Sequence, residues 1–109
     1  MLKLFRVSNN TKFFKMPTVV IRHRVGNFDT WLKGHQDRVE LFSKFASGFE
    51  TFQDVNDPSS VVLVADVFDF DAMQAVMNNK EIMEKLAKEK HTVLDPITVS
   101  LPVNVSVPA

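Results

Sequence analysis

TVVIRHRVGNFDTW, residues 18–31, holds the strand-to-helix junction from which the rest of the chain can be read. Val19, Val20, Ile21 and Val25 are β-branched and sit in a short run closed by Gly26, which predicts a strand over 18–25. Alternation splits that strand: Val19, Ile21, His23 and Val25 point one way, Val20, Arg22 and Arg24 the other. Asn27 is suited to an N-cap. Apolar or aromatic residues, with one histidine, then recur at Phe28, Trp31, Leu32, His35, Val39, Phe42 and Phe45, the spacing of one amphipathic helix over about 28–46. Gly34 costs that helix about 1 kcal/mol relative to Ala and is placed away from the stripe. Gly48 reads as its C-cap.

The remaining elements follow in order. Phe49–Val55 reads as strand two, and NDPSS (56–60) is turn chemistry. Ser60–Phe68, SVVLVADVF, reads as strand three, with Val61, Leu63, Ala65 and Val67 on one face. A run this apolar is usually covered on both faces. Asp69 or Asp71 starts a second helix carrying Phe70, Met73, Val76 and Met77 on one side. Asn78-Asn79 interrupts it, and Asn78 with Glu81 has capping-box spacing for a further helix striped by Ile82, Met83 and Leu86. Lys85, Lys88 and Lys90 suit a helix C-terminus, and His91 beyond them reads as surface. Pro96 opens strand four, where Ile97, Val99, Leu101 and Val103 alternate with Thr98, Ser100 and Pro102.

Strand, helix, strand, strand, helix, strand implies an α+β fold: a ferredoxin-like βαββαβ sandwich with a four-stranded antiparallel sheet covered on one face by helices. The other sheet face is left bare by the topology. With Val62 and Val64 on it, it calls for a partner, most simply a second copy packed sheet to sheet. The domain is expected over 18–103. Residues 1–17 form an N-terminal extension: a segment outside the fold, or an extra strand or arm on a partner subunit. Residues 104–109 form a tail.

The 109 residues suffice for one domain, and the 45% apolar content excludes a disordered chain. Thirteen basic and thirteen acidic residues leave no net charge, so there is no general pull toward nucleic acid or an anionic membrane. No apolar run approaches the ~18 residues of a membrane span. The absence of cysteine removes disulfides, thiolate metal sites and cysteine nucleophiles, and fits a reducing cytoplasm. Strand three lacks the stacking aromatics of RNA-recognition domains, and three scattered glycines build no phosphate cradle.

VVIRHRVGNFDTWLKGHQ and GFETFQDVNDPSSVVLVADVFDFDAMQAVMNNKEIMEKL together resemble small bacterial proteins of the dimeric α/β-barrel superfamily. The likeness lies with its antibiotic-biosynthesis-monooxygenase-like and cyclase-like members. It is carried by the RHRV strand, Trp31 four residues after Asn27, the NDP turn before an apolar strand three, Asp66 near that strand's end and the interrupted helix after it. It spans about 18–103. The resemblance implies a homodimeric α/β barrel with a small-molecule cleft between sheet and helices in each subunit. It departs from the haem-degrading members, which use an Asn on strand one, a Trp on helix two and a His on the next helix. Here strand one has no Asn, the only tryptophan is Trp31, and Leu86 lies near where that His would fall. Val67 stands where relatives usually have Trp, and His35 where they have an apolar residue.

Two constellations stand out. Strands one and three are expected as parallel neighbours at the sheet centre, so that Arg22 or Arg24 could meet Asp66. That meeting would be an ion pair at an interface, or an anion-recognition site for a carboxylate or enolate. His23 shares its face with the most apolar positions, and a helix returning over the strand would bring Trp31 above it with His35 nearby. Imidazole titrates near neutral pH, so this is either an acid/base pocket or a pair of hydrogen-bonded core histidines. No third ligand is spaced to make a metal or haem site, and no cofactor is implied. Phe28, Phe42, Phe45, Phe49 and Phe52 with Met73, Met77 and Met83 would fill a core, or line a cavity for an aromatic, polyketide-like molecule. The enzymatic reading is cofactor-independent oxygenation or cyclase/isomerase-type proton transfer on a small aromatic or enolisable substrate. His23 is its acid/base, Arg22 and Arg24 stabilise an anion, and Trp31 and His35 form the wall. The alternative is a non-catalytic ligand-binding or structural homodimer. Whether His23 faces a cavity or a filled core separates the two.

Overall fold

The structure, a computed structural model, describes residues 17–103. The expected arm and tail lie outside these residues. Within them the chain runs β1 (Thr18–Val25), α1 (Phe28–Lys33), α2 (His35–Phe42), β2 (Ala46–Gln53), β3 (Ser60–Val67), α3 (Phe70–Met77), α4 (Glu81–Lys90) and β4 (Val93–Ser100). The four strands form one antiparallel sheet in the order β2-β3-β1-β4, with helices on one face. The ferredoxin-like βαββαβ sandwich is therefore the observed fold. Its core is the alternate set Val19, Ile21, Val25, Val61, Leu63, Ala65 and Val67, met by Trp31, Phe42, Phe45 and Met73 from the helical side.

Capping chemistry marks the junctions. Asn27 Oδ1 accepts from the Thr30 amide at 2.9 Å, and Asp69 Oδ1 from Ala72 at 3.0 Å. Asn79, not Asn78, caps α4 by accepting from Ile82 at 3.0 Å. The turn 56–60 closes on Asp57, which accepts from both the amide and the hydroxyl of Ser59.

Four sequence expectations are corrected. β1 and β3 are antiparallel, with Thr18 opposite Asp66 and Arg24 opposite Ser60. The helical crossover returns the chain so that β2 runs parallel to β1, and the turn then reverses β3. The single helix over 28–46 is two helices that break at Gly34, and the second ends at Phe42. β2 accordingly starts at Ala46 and absorbs Gly48, which caps nothing. β4 starts at Val93, so Pro96 lies inside it after a cis peptide bond; an edge strand tolerates the missing donor.

α4 is π-type: the amide of His91 at its end reaches back five residues to Leu86 O, at 3.0 Å. Thr92 follows in the left-handed region, at φ 58°, a conformation costly for a β-branched residue. It is held there by the β1–α1 turn, since its hydroxyl accepts from the Asn27 amide and donates to Asn27 O, while its carbonyl accepts from Gly26. The outcome is that His91 is buried against Gly34, not exposed.

The sheet face away from the helices carries Val20, Val62 and Val64, part-buried, and Phe52, half exposed. Phe52 therefore lies outside the core, since it pairs with Val62 on that face. Arg22 and Asp66 are exposed on the same face.

A Cβ at Gly34 would run into the Nδ1–Cε1 edge of the His91 ring. Ala in a helix normally gains ~0.5–1 kcal/mol over Gly, but forced overpacking costs ~1–3 kcal/mol. Gly34→Ala is thus expected to lower the midpoint of thermal unfolding, and adding His91→Ala to recover most of the loss. A rise in midpoint for the single variant would show that the ring does not hold this position.

Candidate functional site

The core face of β1, the edge strand β4 and the helices α2, α3 and α4 line a partly open cavity of about 80 Å³. Its walls are apolar at Leu41, Phe42, Met77, Met83, Leu86 and Ile97. At ~30 Å³ per water it has room for two or three water-sized molecules, and it is smaller than the ~150 Å³ cavity that takes up benzene. A polyketide-sized body does not fit it as it stands. Met77 and Met83 are unbranched and are the walls best able to give way.

The polar groups gather at one end. β1 delivers His23, and α1 delivers Trp31. Their rings meet edge to face, 5.8 Å between centroids and 73° between planes. Trp31 is fully buried, and its indole N–H finds no partner. His23 and Trp31 are thus brought together, and His23 lines a cavity. His23 Nδ1 lies 3.0 Å from Arg24 O. A carbonyl only accepts, so Nδ1 carries the proton, and in the neutral ring Nε2 is left as a lone pair. Burial pushes the His23 pKa below its usual 6.5, and the nearby Arg38 charge acts the same way against the raising effect of the Arg24 bond. The ring is neutral at pH 7.

Arg38 is the site residue that sequence reasoning missed. It is 7% exposed, and its guanidinium lies 3.9 Å over the Trp31 ring. Nη2 donates to Trp31 O at 2.7 Å, while Nε and Nη1 have no partner. Among the described residues no carboxylate forms an ion pair with it. Burial brings its pKa down to about 10, so it remains charged at neutral pH. Burying a cation costs several kcal/mol; the desolvated cation–π stack returns ~2 kcal/mol or more, and the bond to a neutral carbonyl ~1.5–3 kcal/mol. Two nitrogens, carrying three N–H groups, are left unmet in a largely apolar surrounding. The signal was in the spacing: seven residues from Trp31 is nearly two helical turns, only ~20° off its face.

His91 closes the other side. Its Nε2 donates to Asp37 Oδ2 at 3.1 Å, and the same carboxylate oxygen takes Lys90 Nζ at 3.1 Å. Burial lowers the His91 pKa despite the Asp37 bond, which acts to raise it. The Lys90 hydrogen bond leads in holding Asp37 below its usual 3.8. His91 Nδ1 is buried and unpartnered. This clamp fastens α2 to the end of α4 across the cavity.

The other expected residues lie elsewhere. Arg22 and Arg24 point to the opposite sheet face, and neither meets Asp66. Arg24 is paired with Asp57 in the 56–60 turn, and Asp66 accepts from Thr18 Oγ1 at 3.0 Å. The antiparallel β1–β3 register places Arg24 and Asp66 at opposite ends of the ladder. His35 is exposed and meets the Phe49 ring at a tilt, 5.5 Å between centroids. No cluster of three or more metal-ligating side chains occurs among the described residues. No helix there is long and apolar enough to cross a membrane.

Comparison with known proteins bears on the fold. No family model matches the sequence, and no curated protein matches it. Solved structures do. An antibiotic biosynthesis monooxygenase superposes at a TM-score of 0.60 with 18% identity, over 83% of this chain and 99% of that one. A Bordetella bronchiseptica protein assigned to the same group gives 0.65 and 17%, over 84% and 98%. SnoaB, a cofactor-independent oxygenase from Streptomyces nogalater, gives 0.60 and 12%, over 87% and 99%. The chain has the antibiotic-biosynthesis-monooxygenase fold.

The two buried histidines make stability pH-dependent. Both have folded pKa values below 6.5, so as pH falls the unfolded chain takes up protons first and is favoured. The unfolding midpoint is expected to fall steadily from pH 7 to 5, above the range where Asp37 and Asp57 contribute. His23→Gln/His91→Gln should flatten that slope. An unchanged slope in the double variant would refute neutral burial of the pair.

Proposed function

We propose that the protein binds a small molecule in this cavity and is a cofactor-independent enzyme. The chemistry is oxygenation or cyclase/isomerase-type proton transfer on a small aromatic or enolisable substrate. One observation carries the reading: a neutral His23, its Nδ1 proton committed to Arg24 O, stands beside Trp31 on the wall of an apolar cavity. Neutral imidazole with a free Nε2 is a base for a weakly acidic C–H or O–H, and an apolar site leaves that base unsolvated. Trp31 packs against the ring and fixes its plane. The likeness to a cofactor-independent oxygenase supports the reaction class by fold alone, which hosts many chemistries.

The working unit we propose is a homodimer in the cytoplasm. The part-buried Val20, Val62 and Val64 with Phe52 form an apolar patch on the free sheet face, and a second sheet is the simplest cover for it. A non-catalytic ligand-binding dimer is the second reading. It is favoured by the smallness of the cavity, about 80 Å³.

His23→Gln keeps the ring's approximate size and removes the base. Turnover of small phenols or 1,3-dicarbonyl compounds under air is expected to fall by ~10²–10⁴-fold, with the unfolding midpoint at pH 7 little changed and the sample still sedimenting as a dimer. Binding retained with no turnover by the parent protein would select the non-catalytic reading. Loss of folding in the variant would make His23 a core residue.

A further inference from the structure

We propose that Arg38 anchors a small hydrophobic monoanion, a carboxylate or enolate on a short hydrocarbon or single-ring body, in this cavity. This rests on reading the cavity as a ligand site and names what that site selects. Among the residues that line the cavity, three donor atoms, Arg38 Nε, Arg38 Nη1 and Trp31 Nε1, and one ring nitrogen, His91 Nδ1, are buried without partners; the cavity's own surface is almost wholly apolar, so an anion reaches these donors only as the side chains covering them shift. The nearby acid, Asp37, is committed to Lys90 and His91; its charge acts on Arg38 from a distance, but among the described residues no carboxylate forms an ion pair with the guanidinium. One cation matches one negative charge, and a set of donors matches oxygens that only accept. The walls at Leu41, Met77, Met83 and Ile97 are apolar; beyond His23, Trp31 and Arg38, the polar residues of the lining are Asp37 and His91, which are bonded to each other. A volume near 80 Å³ holds the anion to a few heavy atoms, or to one ring if Met77 and Met83 shift.

Anion selection also joins this end of the cavity to His23. A substrate that gives up a proton to His23 becomes an enolate or phenolate, and the Arg38 charge next to it favours that product over the neutral acid. The cation stacked on Trp31 is therefore on hand where negative charge forms. Arg22 and Arg24, the cations expected for this task, lie on the opposite sheet face.

The test compares each acid with its uncharged amide: crotonate with crotonamide, benzoate with benzamide, all at pH 7.5 by calorimetry and ligand-observed NMR. Toluene serves as an apolar probe, and Arg38→Met and Arg38→Lys as variants. In the parent protein the better-fitting acid is expected to bind at least tenfold more tightly than its amide. Arg38→Met should erase that preference, and Arg38→Lys should keep part of it. Amides binding as well as acids would overturn the assignment, as would a preference that survives Arg38→Met. Toluene binding without either acid would overturn it while leaving the cavity a ligand site. Failure of every probe, toluene included, would overturn the small-molecule reading as well. Should Arg38→Met not fold, the acid-to-amide ratio of the parent protein decides alone.

Discussion

A buried guanidinium stacked on a buried indole is the constraint on which the site depends. Arg38 lies over Trp31 and donates to the Trp31 carbonyl, so one side chain ties α2 to the last turn of α1. That bond bridges the break at Gly34, where the helical line is interrupted. Trp31 in turn sets the plane of His23. The chain thereby places a cation, an indole N–H and a neutral imidazole on a cavity whose other polar residues, Asp37 and His91, are bonded to each other. A fold seeking only stability would fill such a space with hydrocarbon, since replacing buried charges by well-packed apolar residues is often neutral or better.

Gly34 matters for a second reason. Without a side chain there, the end of α4 comes close enough to lay His91 on the helix break, where Asp37 receives it. The π-type winding of α4 and the left-handed Thr92 both belong to this arrangement. Wide helical turns and backbone in sparsely populated regions concentrate at functional sites, because local geometry that costs energy persists where the surroundings over-determine it. Here the surroundings are the hydrogen bonds between Thr92 and the 26–27 turn.

Much of the fold was legible because it follows from period-two and period-3.6 patterns. The alternation of β1 put His23 on the core face, and the return of the first helix put Trp31 over it. What patterns could not carry was relative direction and local rotation. Assigning β1 and β3 as parallel moved Asp66 to the wrong end of the ladder. The stripe through His35, Val39 and Phe42 found the inward Phe42 but concealed the other inward position of α2, Arg38. A charged residue was passed over as solvated face, although its seven-residue step from Trp31 pointed inward. His91 was hidden differently: a lysine-rich helix end reads as surface, and only a contact with distant Gly34 buries it.

The most direct measurement follows the side-chain N–H resonances of Trp31 and Arg38 in a ¹⁵N-labelled sample as crotonate or benzoate is added. The chain holds one tryptophan, so the indole signal assigns itself. The Trp31 indole and Arg38 Nε–H signals should both shift, saturably and with one shared affinity, toward the positions of hydrogen-bonded donors. Shifts confined to surface amides, with both of these signals unmoved at saturating anion, would contradict a built anion site at the end of the cavity.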